Sequence, residues 1–125
     1  MGTQEDEYTR RKIVGKRSRD KGKRGEREAA AKLAEVLGCE ARRSQQYCGE
    51  AGDADLLTSI EGIHWEVKRM ERFSLYPALQ QASDDASDDD IPVVLHRRNN
   101  SIWVAVVALV DLPDLARRVL ERKDR

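Results

Sequence analysis

The sequence predicts an α/β fold in which a central mixed β-sheet is flanked by helices. Segments with helical apolar spacing alternate with short apolar runs typical of strands, in the order helix, strands, helix, two strands, helix. That order is typical of one sheet with helices packed on it. The chain has 125 residues, of which 39% are hydrophobic, and this is enough for one domain with a modest core.

The first predicted helix begins near residues 22–25 and ends at Leu37, with Gly38 as its C-cap. Its apolar side chains form one stripe, made of Ala29, Ala30, Leu33, Val36 and Leu37. The stripe extends back to Glu26, whereas Glu28 shares a face with Lys32 and Glu35. We therefore expect Glu26 to face the fold and Glu28 to face solvent. A buried carboxylate is costly unless compensated, so Glu26 is a functional candidate; a frayed helix N-terminus, which favours negative charge, is the alternative.

The remaining elements follow from alternation and turn residues. Strands are predicted over residues 39–43, 54–59, 63–69, 93–97 and 102–107, with a loop over 44–52. The second and third strands form a hairpin with its turn at Glu61-Gly62. Ser74 and Pro77 mark the start of a helix that continues to Ala82. A last helix is predicted over 111–123. The final strand is so apolar that we expect it to be buried on both faces.

Charge is distributed unevenly along a chain whose formal net charge is zero. Residues 10–27 contain ten Lys or Arg against two acidic residues, a surplus of eight positive charges by counting. We predict a flexible basic arm over residues 1–20 and a single domain over 21–125. The basic segment indicates a phosphate-binding surface, although a solvated tail is the alternative. Five Asp lie between Asp84 and Asp90; they would repel DNA and are expected to face away from it or to contact the arm of a partner subunit.

Composition also bounds the location of the protein. Cys39 and Cys48 lack the spacing of a zinc site or a disulfide framework, which favours reduced thiols. The longest apolar run has nine residues, from Ile102 to Val110, and a membrane-spanning helix needs about 18 or more. The sequence therefore predicts a cytoplasmic protein without a membrane span.

The most informative residues are Asp55 and, eleven positions later, Glu66-Val67-Lys68. Side chains alternate along a strand, so Glu66 and Lys68 share one face while Val67 lies on the other with Trp65. Asp55 opens the neighbouring strand and should lie beside Glu66. Two converging carboxylates suit a hard cation such as Mg²⁺. A lysine beside them could orient a water and offset charge on a phosphate under attack.

Each signal alone has a plainer interpretation. A Glu-x-Lys pair on a strand is often a weak surface ion pair, and an Asp-x-Asp beside glycine is often a turn. The combination of a carboxylate on a helix stripe, an Asp that opens a strand, Glu-x-Lys on its hairpin partner and a preceding basic segment favours a nuclease site.

The segment over residues 21–28, Lys-Gly-Lys-Arg-Gly-Glu-Arg-Glu, resembles the opening of archaeal and phage Holliday junction resolvases of the PD-(D/E)xK superfamily. Arg43-Ser44, Asp55-Leu56 and Glu66-Val67-Lys68 follow in the order of that family. The stretch from Trp65 to Trp103 is also similar to phage-encoded endonucleases of the same superfamily. The resemblance covers about residues 21–110.

The resemblance implies a restriction-endonuclease-like core and a metal-dependent, structure-selective endonuclease. Such an enzyme resolves four-way DNA junctions in recombination by paired phosphodiester hydrolysis, as a homodimer and without a small-molecule cofactor. Asp55, Glu66 and the backbone carbonyl of Val67 would bind Mg²⁺, with Mn²⁺ as a substitute. Lys68 would be the catalytic lysine, and Glu26 would hold the metal or position a water through it.

The resemblance assigns weaker roles to further residues and leaves alternatives open. It places Gln81 near the site as a candidate DNA contact. Charge and position predict further DNA contacts from Lys21, Lys23, Arg24, Arg43 and Ser44. A solvated strand end is the alternative for Arg43 and Ser44. Gln80 competes with Gln81, because only one of them can face the sheet. Asp53 could replace Asp55 if the strand register shifts by two.

Other expectations concern residues outside the motif and the function as a whole. His64 shares the face of Glu66 and Lys68 and could be a ligand or a proton donor, but a surface histidine at the hairpin is favoured. Tyr47 could stack on a base. The functional alternatives are a general or nicking endonuclease with the same site, a non-catalytic DNA-binding module, and a structural protein.

Overall fold

The computed structural model of the protein describes residues 4–44 and 54–124, with side chains from residue 21 onward in these ranges. Three α-helices and five strands follow one another along them, with a short 3₁₀ helix before the last helix. They are α1 (Gln4–Leu37), β1 (Ala41–Arg43), β2 (Leu56–Thr58), β3 (Ile63–Arg69), α2 (Leu75–Asp85), β4 (Ile91–Arg97), β5 (Val104–Val106), the 3₁₀ helix (Leu109–Asp111) and α3 (Leu112–Leu120).

The five strands form one mixed sheet in the order β1-β2-β3-β4-β5 within the described ranges. All neighbouring pairs are antiparallel except β3 and β4, which run parallel and are connected through α2. A parallel connection of this kind requires a crossover, and α2 supplies it. The predicted α/β class, a mixed sheet with flanking helices, is therefore confirmed.

Helices cover both faces of this sheet. The larger core lies on the α1 face, where Ala29, Ala30 and Leu33 pack against Trp65 and Val93, together with apolar side chains of α3. The smaller core lies on the other face, where Ala78 and Ala82 of α2 pack against Val94 of β4. β3 therefore has no solvent-facing side over most of its length, and this decides the environment of the site described below.

The end of α1 agrees with prediction, but its start and one residue of its apolar stripe do not. Ala29, Ala30 and Leu33 are buried and Leu37 packs against the core, whereas Val36 is 65% exposed. Gly38 adopts a φ of 62°, and its N–H donates to the carbonyl of Ala34 at 2.9 Å, as expected for a glycine C-cap. The helix begins at Gln4 rather than near residues 22–25, since its charged residues are themselves good helix formers. The division into a flexible arm over 1–20 and a domain over 21–125 stays a prediction.

The C-terminal strand was predicted to be buried on both faces, and this is wrong. β5 has only three residues and lies at the sheet edge, and Ile102 and Val104 are 80% and 42% exposed. β5 pairs with β4 only from Val94 to His96. Within the described ranges, no residue of β5 is paired with Pro92. Its missing N–H therefore costs no hydrogen bond to β5, and proline is tolerated in a sheet at such positions.

The remaining elements are close to their predicted positions. The hairpin of β2 and β3 turns at Gly62, whose φ is 83°, and α2 begins directly after Ser74. α2 continues to Asp85, so the acidic run begins inside a helix. Within the described ranges no helix is both long and apolar enough to pass through a membrane. Tyr47, Cys48 and Asp53 lie outside the described residues.

Candidate active site

The predicted alternation along β3 is confirmed. Trp65 is 3% exposed and lies in the larger core, against which Val67 also packs. Glu66 and Lys68 lie on the opposite face, toward α2, where Lys68 Nζ donates to Gln81 Oε1 at 3.0 Å. The period of two along a strand therefore brings a carboxylate and an ammonium to one side of the sheet.

Asp55 lies beside Glu66, as the hairpin predicts. The register that pairs Leu56 with Trp65 places Asp55 opposite Glu66. The Asp55 N–H donates to the Trp65 carbonyl at 2.9 Å, and Asp55 Oδ2 accepts a 2.8 Å hydrogen bond from the Val67 N–H. Two bonds to β3 hold the backbone and the carboxyl group of Asp55, so the position of this side chain is defined by the sheet itself.

The carboxyl groups of Asp55 and Glu66 shift each other's pKa. Burial, followed by the negative charge of Glu66, raises the pKa of Asp55 to about 7. Burial opposes the ionisation of Glu66, but hydrogen bonds from His64 and Asp55, with the positive charge of Lys68, outweigh it and lower the pKa of Glu66. Of the two groups, Asp55 is therefore the one that keeps its proton to higher pH, and Glu66 is the one that ionises first.

Glu26 faces the fold, as the stripe on α1 predicts. Its negative charge contributes to the raised pKa of Asp55, and its Oε2 accepts a 2.6 Å hydrogen bond from Arg43 Nε. A close helix–sheet approach allows this, because a Cβ on Gly25 would lie 2.7 Å from the Cβ of Arg69. Glycine at this position lets α1 contact β3 and brings the next residue, Glu26, to the site.

Glu28 was predicted to face solvent, and this is wrong. Its Oε1 accepts hydrogen bonds from Arg97 and from Trp103 Nε1 at 3.1 Å, and lies 3.8 Å from Arg69 Nε. The parallel register places Arg69 beside Arg97 at the ends of β3 and β4, and α1 crosses this point. Two adjacent guanidinium groups compensate the charge of Glu28. These contacts hold α1 against the ends of β3 and β4, two residues after Glu26.

The two glutamines of α2 are distinguished by their contacts. Both side chains are exposed. Gln81 accepts the hydrogen bond from Lys68, whereas Gln80 donates to Asp84 Oδ1 at 2.8 Å. Gln81 is therefore the glutamine that contacts Lys68, and its contact with DNA stays a prediction.

The predicted DNA-contacting residues divide into two groups. Lys21, Lys23 and Arg24 are exposed on α1 just before Glu26. Arg43 is held by Glu26 with 26% of its side chain exposed, and the Ser44 N–H donates to the Asp55 carbonyl at 2.9 Å. The first group is free to meet a ligand from solvent, and the second is built into the site.

The sequence placed His64 on the face of Glu66 but did not predict its burial. It was expected at the surface, but it is 1% exposed, and its Nε2 lies 2.7 Å from Glu66 Oε1. The signal was present in the alternation His64, Glu66, Lys68 together with the prediction of a helix after the strand. A helix packed on that face buries the inner residues of the alternating set.

Asp55, Glu66 and the Val67 carbonyl are the groups that could hold a divalent cation. Glu26, also predicted as a ligand, accepts a hydrogen bond from Arg43, and its metal role stays a prediction. Within the described residues, no group of three or more His, Cys, Asp and Glu is gathered closely enough to hold a metal ion. The chemistry of the donor set nevertheless fits a hard cation, because Asp55 and Glu66 are adjacent and partly withdrawn from water. Their mutual repulsion raises the pKa of Asp55, and a divalent cation would relieve it.

Comparison of the chain with protein-family models, with curated proteins and with solved structures found no match in any of the three. The function proposed below therefore depends on the geometry of the site and on the resemblance in sequence.

Proposed function

We propose that this chain is a metal-dependent DNA endonuclease of the PD-(D/E)xK type, acting on branched DNA. The observation that carries the proposal is the pair of adjacent carboxyl groups, Asp55 and Glu66, with Lys68 on the same face of β3 as Glu66. Two adjacent carboxyl groups, one of them with a raised pKa, beside an ammonium are more typical of functional sites than of surface ion pairs. The order of these residues along the chain matches the resemblance.

Each side chain has a defined role in this proposal. Asp55 and Glu66, with the Val67 carbonyl, would hold Mg²⁺ or Mn²⁺, which when bound polarises the scissile phosphate and lowers the pKa of a bound water. Lys68 offsets negative charge on the phosphate as the new P–O bond forms. Gln81 keeps the ammonium of Lys68 at the site, and Glu26 orients water from the α1 side.

The basic residues supply the contacts that position DNA. Lys21, Lys23 and Arg24 precede Glu26 on α1 and are exposed, so phosphate groups bound by them lie near the site. Arg43 neutralises Glu26, which reduces the repulsion between a third carboxylate and the DNA backbone. Contacts of this type set position and affinity without reading sequence.

The four-way junction as substrate rests on the resemblance alone. Resolution requires two symmetric cuts, and hence two copies of the site related by a two-fold axis. A general or nicking endonuclease would use the same residues on duplex DNA, and a DNA-binding module would need none of the carboxylates.

The test is cleavage of a labelled four-way junction beside a linear duplex of the same sequence, with Mg²⁺ or with EDTA. Glu66→Gln and Lys68→Ala are compared with Glu35→Ala and Lys32→Ala, an exposed pair on α1 whose charges match. We expect paired nicks in the junction alone, abolished by EDTA and reduced about 100-fold or more in the two site variants. The Glu35 and Lys32 variants should cut as the wild type does.

Two other results would change the conclusion. Metal-dependent cutting of both substrates would keep the site and assign a general nuclease. Binding without cutting in Mg²⁺ and in Mn²⁺ would refute catalysis and leave a DNA-binding module, whose affinity should then be unaffected by Glu66→Gln.

The glutamines provide a narrower test of the same site. We expect Gln81→Ala to lower the single-turnover cleavage rate about 10-fold, because Lys68 loses the group that holds its ammonium near the phosphate. Gln80→Ala, one residue away and bonded only to Asp84, is the control and should not change the rate. Equal rates for the two variants would contradict the role of Gln81.

A further inference from the structure

We propose that His64 is a positioning residue for the metal site, holding the carboxylate of Glu66 in the orientation in which it binds the cation. This inference rests on the proposed function. It concerns a residue to which the sequence resemblance assigns no role, and whose side chain is buried.

The geometry of the pair is that of a fixed donor and its acceptor. The side chains of His64 and Glu66 are 1% and 6% exposed, and the distance from Nε2 to Oε1 is 2.7 Å. An ionised carboxylate can only accept hydrogen bonds, so as a metal ligand Glu66 would accept this bond from a proton on His64 Nε2. The charge-assisted bond is short, as such bonds are.

The surroundings restrict both side chains. Glu66 is aligned with Val94 in the parallel register, and Val94 is fully buried against Ala78 and Ala82 of α2. On this face the polar partners of Glu66 are His64, Asp55 and Lys68. His64 approaches from the β3 side opposite to Lys68, so it can fix one oxygen of the carboxylate while the group remains in contact with Asp55.

A structural role and a positioning role predict different results. If His64 only satisfies a buried carboxylate, its replacement changes the free energy of unfolding and leaves metal affinity unchanged. If it orients a ligand, its replacement weakens metal binding, and outer partners of metal ligands are typically worth about 10–100-fold in affinity.

Two similar amides separate these roles. In His64→Gln the amide nitrogen can reach the position of Nε2 and donate to Glu66. In His64→Asn the shorter side chain ends near the position of Nδ1 and cannot reach Glu66 Oε1. Both replacement side chains are polar and no larger than histidine, so a similar polar group is buried in each variant. A urea titration in EDTA measures the stability of each variant.

The experiment is Mn²⁺ binding in the absence of DNA, measured by electron paramagnetic resonance and calorimetry on the full chain. We expect His64→Asn to raise the Mn²⁺ Kd about 10–100-fold and His64→Gln to stay within about 3-fold of the wild type. In a Glu66→Gln background, His64→Asn should have no further effect, because the ligand that it orients is absent.

The failures of the two proposals are distinguishable. Wild-type Mn²⁺ affinity in His64→Asn, with binding still lost in Asp55→Ala, overturns the role of His64 alone. A wild-type protein that neither binds Mn²⁺ nor cuts DNA overturns the proposed function and this inference with it. Equal weakening by Asn and Gln would also overturn it, since the position of the donor would then not matter.

Discussion

Replacing Asp55 with asparagine should make the metal-free protein more stable at pH 8. Asparagine keeps a carbonyl oxygen that can accept the hydrogen bond from the Val67 N–H, so the substitution removes the ionisable group and little else. The carboxyl of Asp55 has a pKa raised from 3.8 to about 7 in the folded protein. Ionisation of this group therefore opposes folding in the wild type and is absent from the variant.

The direction with pH follows from linkage. Below pH 3.8 Asp55 is protonated in both states, and it contributes no penalty. As the pH rises toward 7, the unfolded chain loses the proton first, so the folded state loses relative stability until the folded pKa is passed. Each pKa unit corresponds to about 1.4 kcal/mol, so the penalty is at most about 4 kcal/mol. Because Asp55 is partly exposed and shares the repulsion with Glu66, we expect about 2 kcal/mol.

The assay is urea unfolding between pH 5 and pH 8.5 in EDTA, followed by tryptophan fluorescence. Asp55→Asn should exceed the wild type in free energy of unfolding at pH 8, and the difference should shrink toward pH 5. Asp88→Asn, an exposed residue of the acidic run, is the control and should show no such trend. Mg²⁺ should stabilise the wild type and not Asp55→Asn. A variant less stable than the wild type at pH 8, or a difference independent of pH, would refute the reasoning.

Three further predictions concern α1. Gly25→Ala should destabilise the fold by about 1–3 kcal/mol by overpacking. At Gly22 an added Cβ meets nothing within 4 Å, so Gly22→Ala should stabilise the helix by up to about 1 kcal/mol. Thermal unfolding measures both changes. Glu28→Ala should lower the free energy of unfolding by about 1–3 kcal/mol. Glu35→Ala should lower it by less than about 0.5 kcal/mol, and equal effects of the two variants would contradict the anchoring of α1 by Glu28. Removal of residues 1–20 should weaken DNA binding. It should also make the slope of log affinity against log salt concentration shallower by about 2 or more, and cleavage at saturating DNA should be retained.

Much of the candidate site could be predicted from the sequence because it depends on local rules. Alternation along a strand fixes the faces of Trp65, Glu66 and Lys68 whatever the strand packs against. A two-strand hairpin fixes Asp55 opposite Glu66 once the turn at Gly62 is known. Gly38 also ends α1 for a local reason, because the helix ends where one residue adopts a positive φ, which glycine does without steric cost.

The tertiary structure decided what depends on neighbouring elements. Glu28 is anchored because β3 and β4 run parallel and bring Arg69 beside Arg97 under α1, a juxtaposition of residues far apart in the chain. His64 is buried because α2 covers that face of β3, and β5 is exposed because no element of the described ranges covers its outer edge. Periodicity gives the direction of a side chain from its own strand or helix, whereas its burial and its partners depend on which other element packs there.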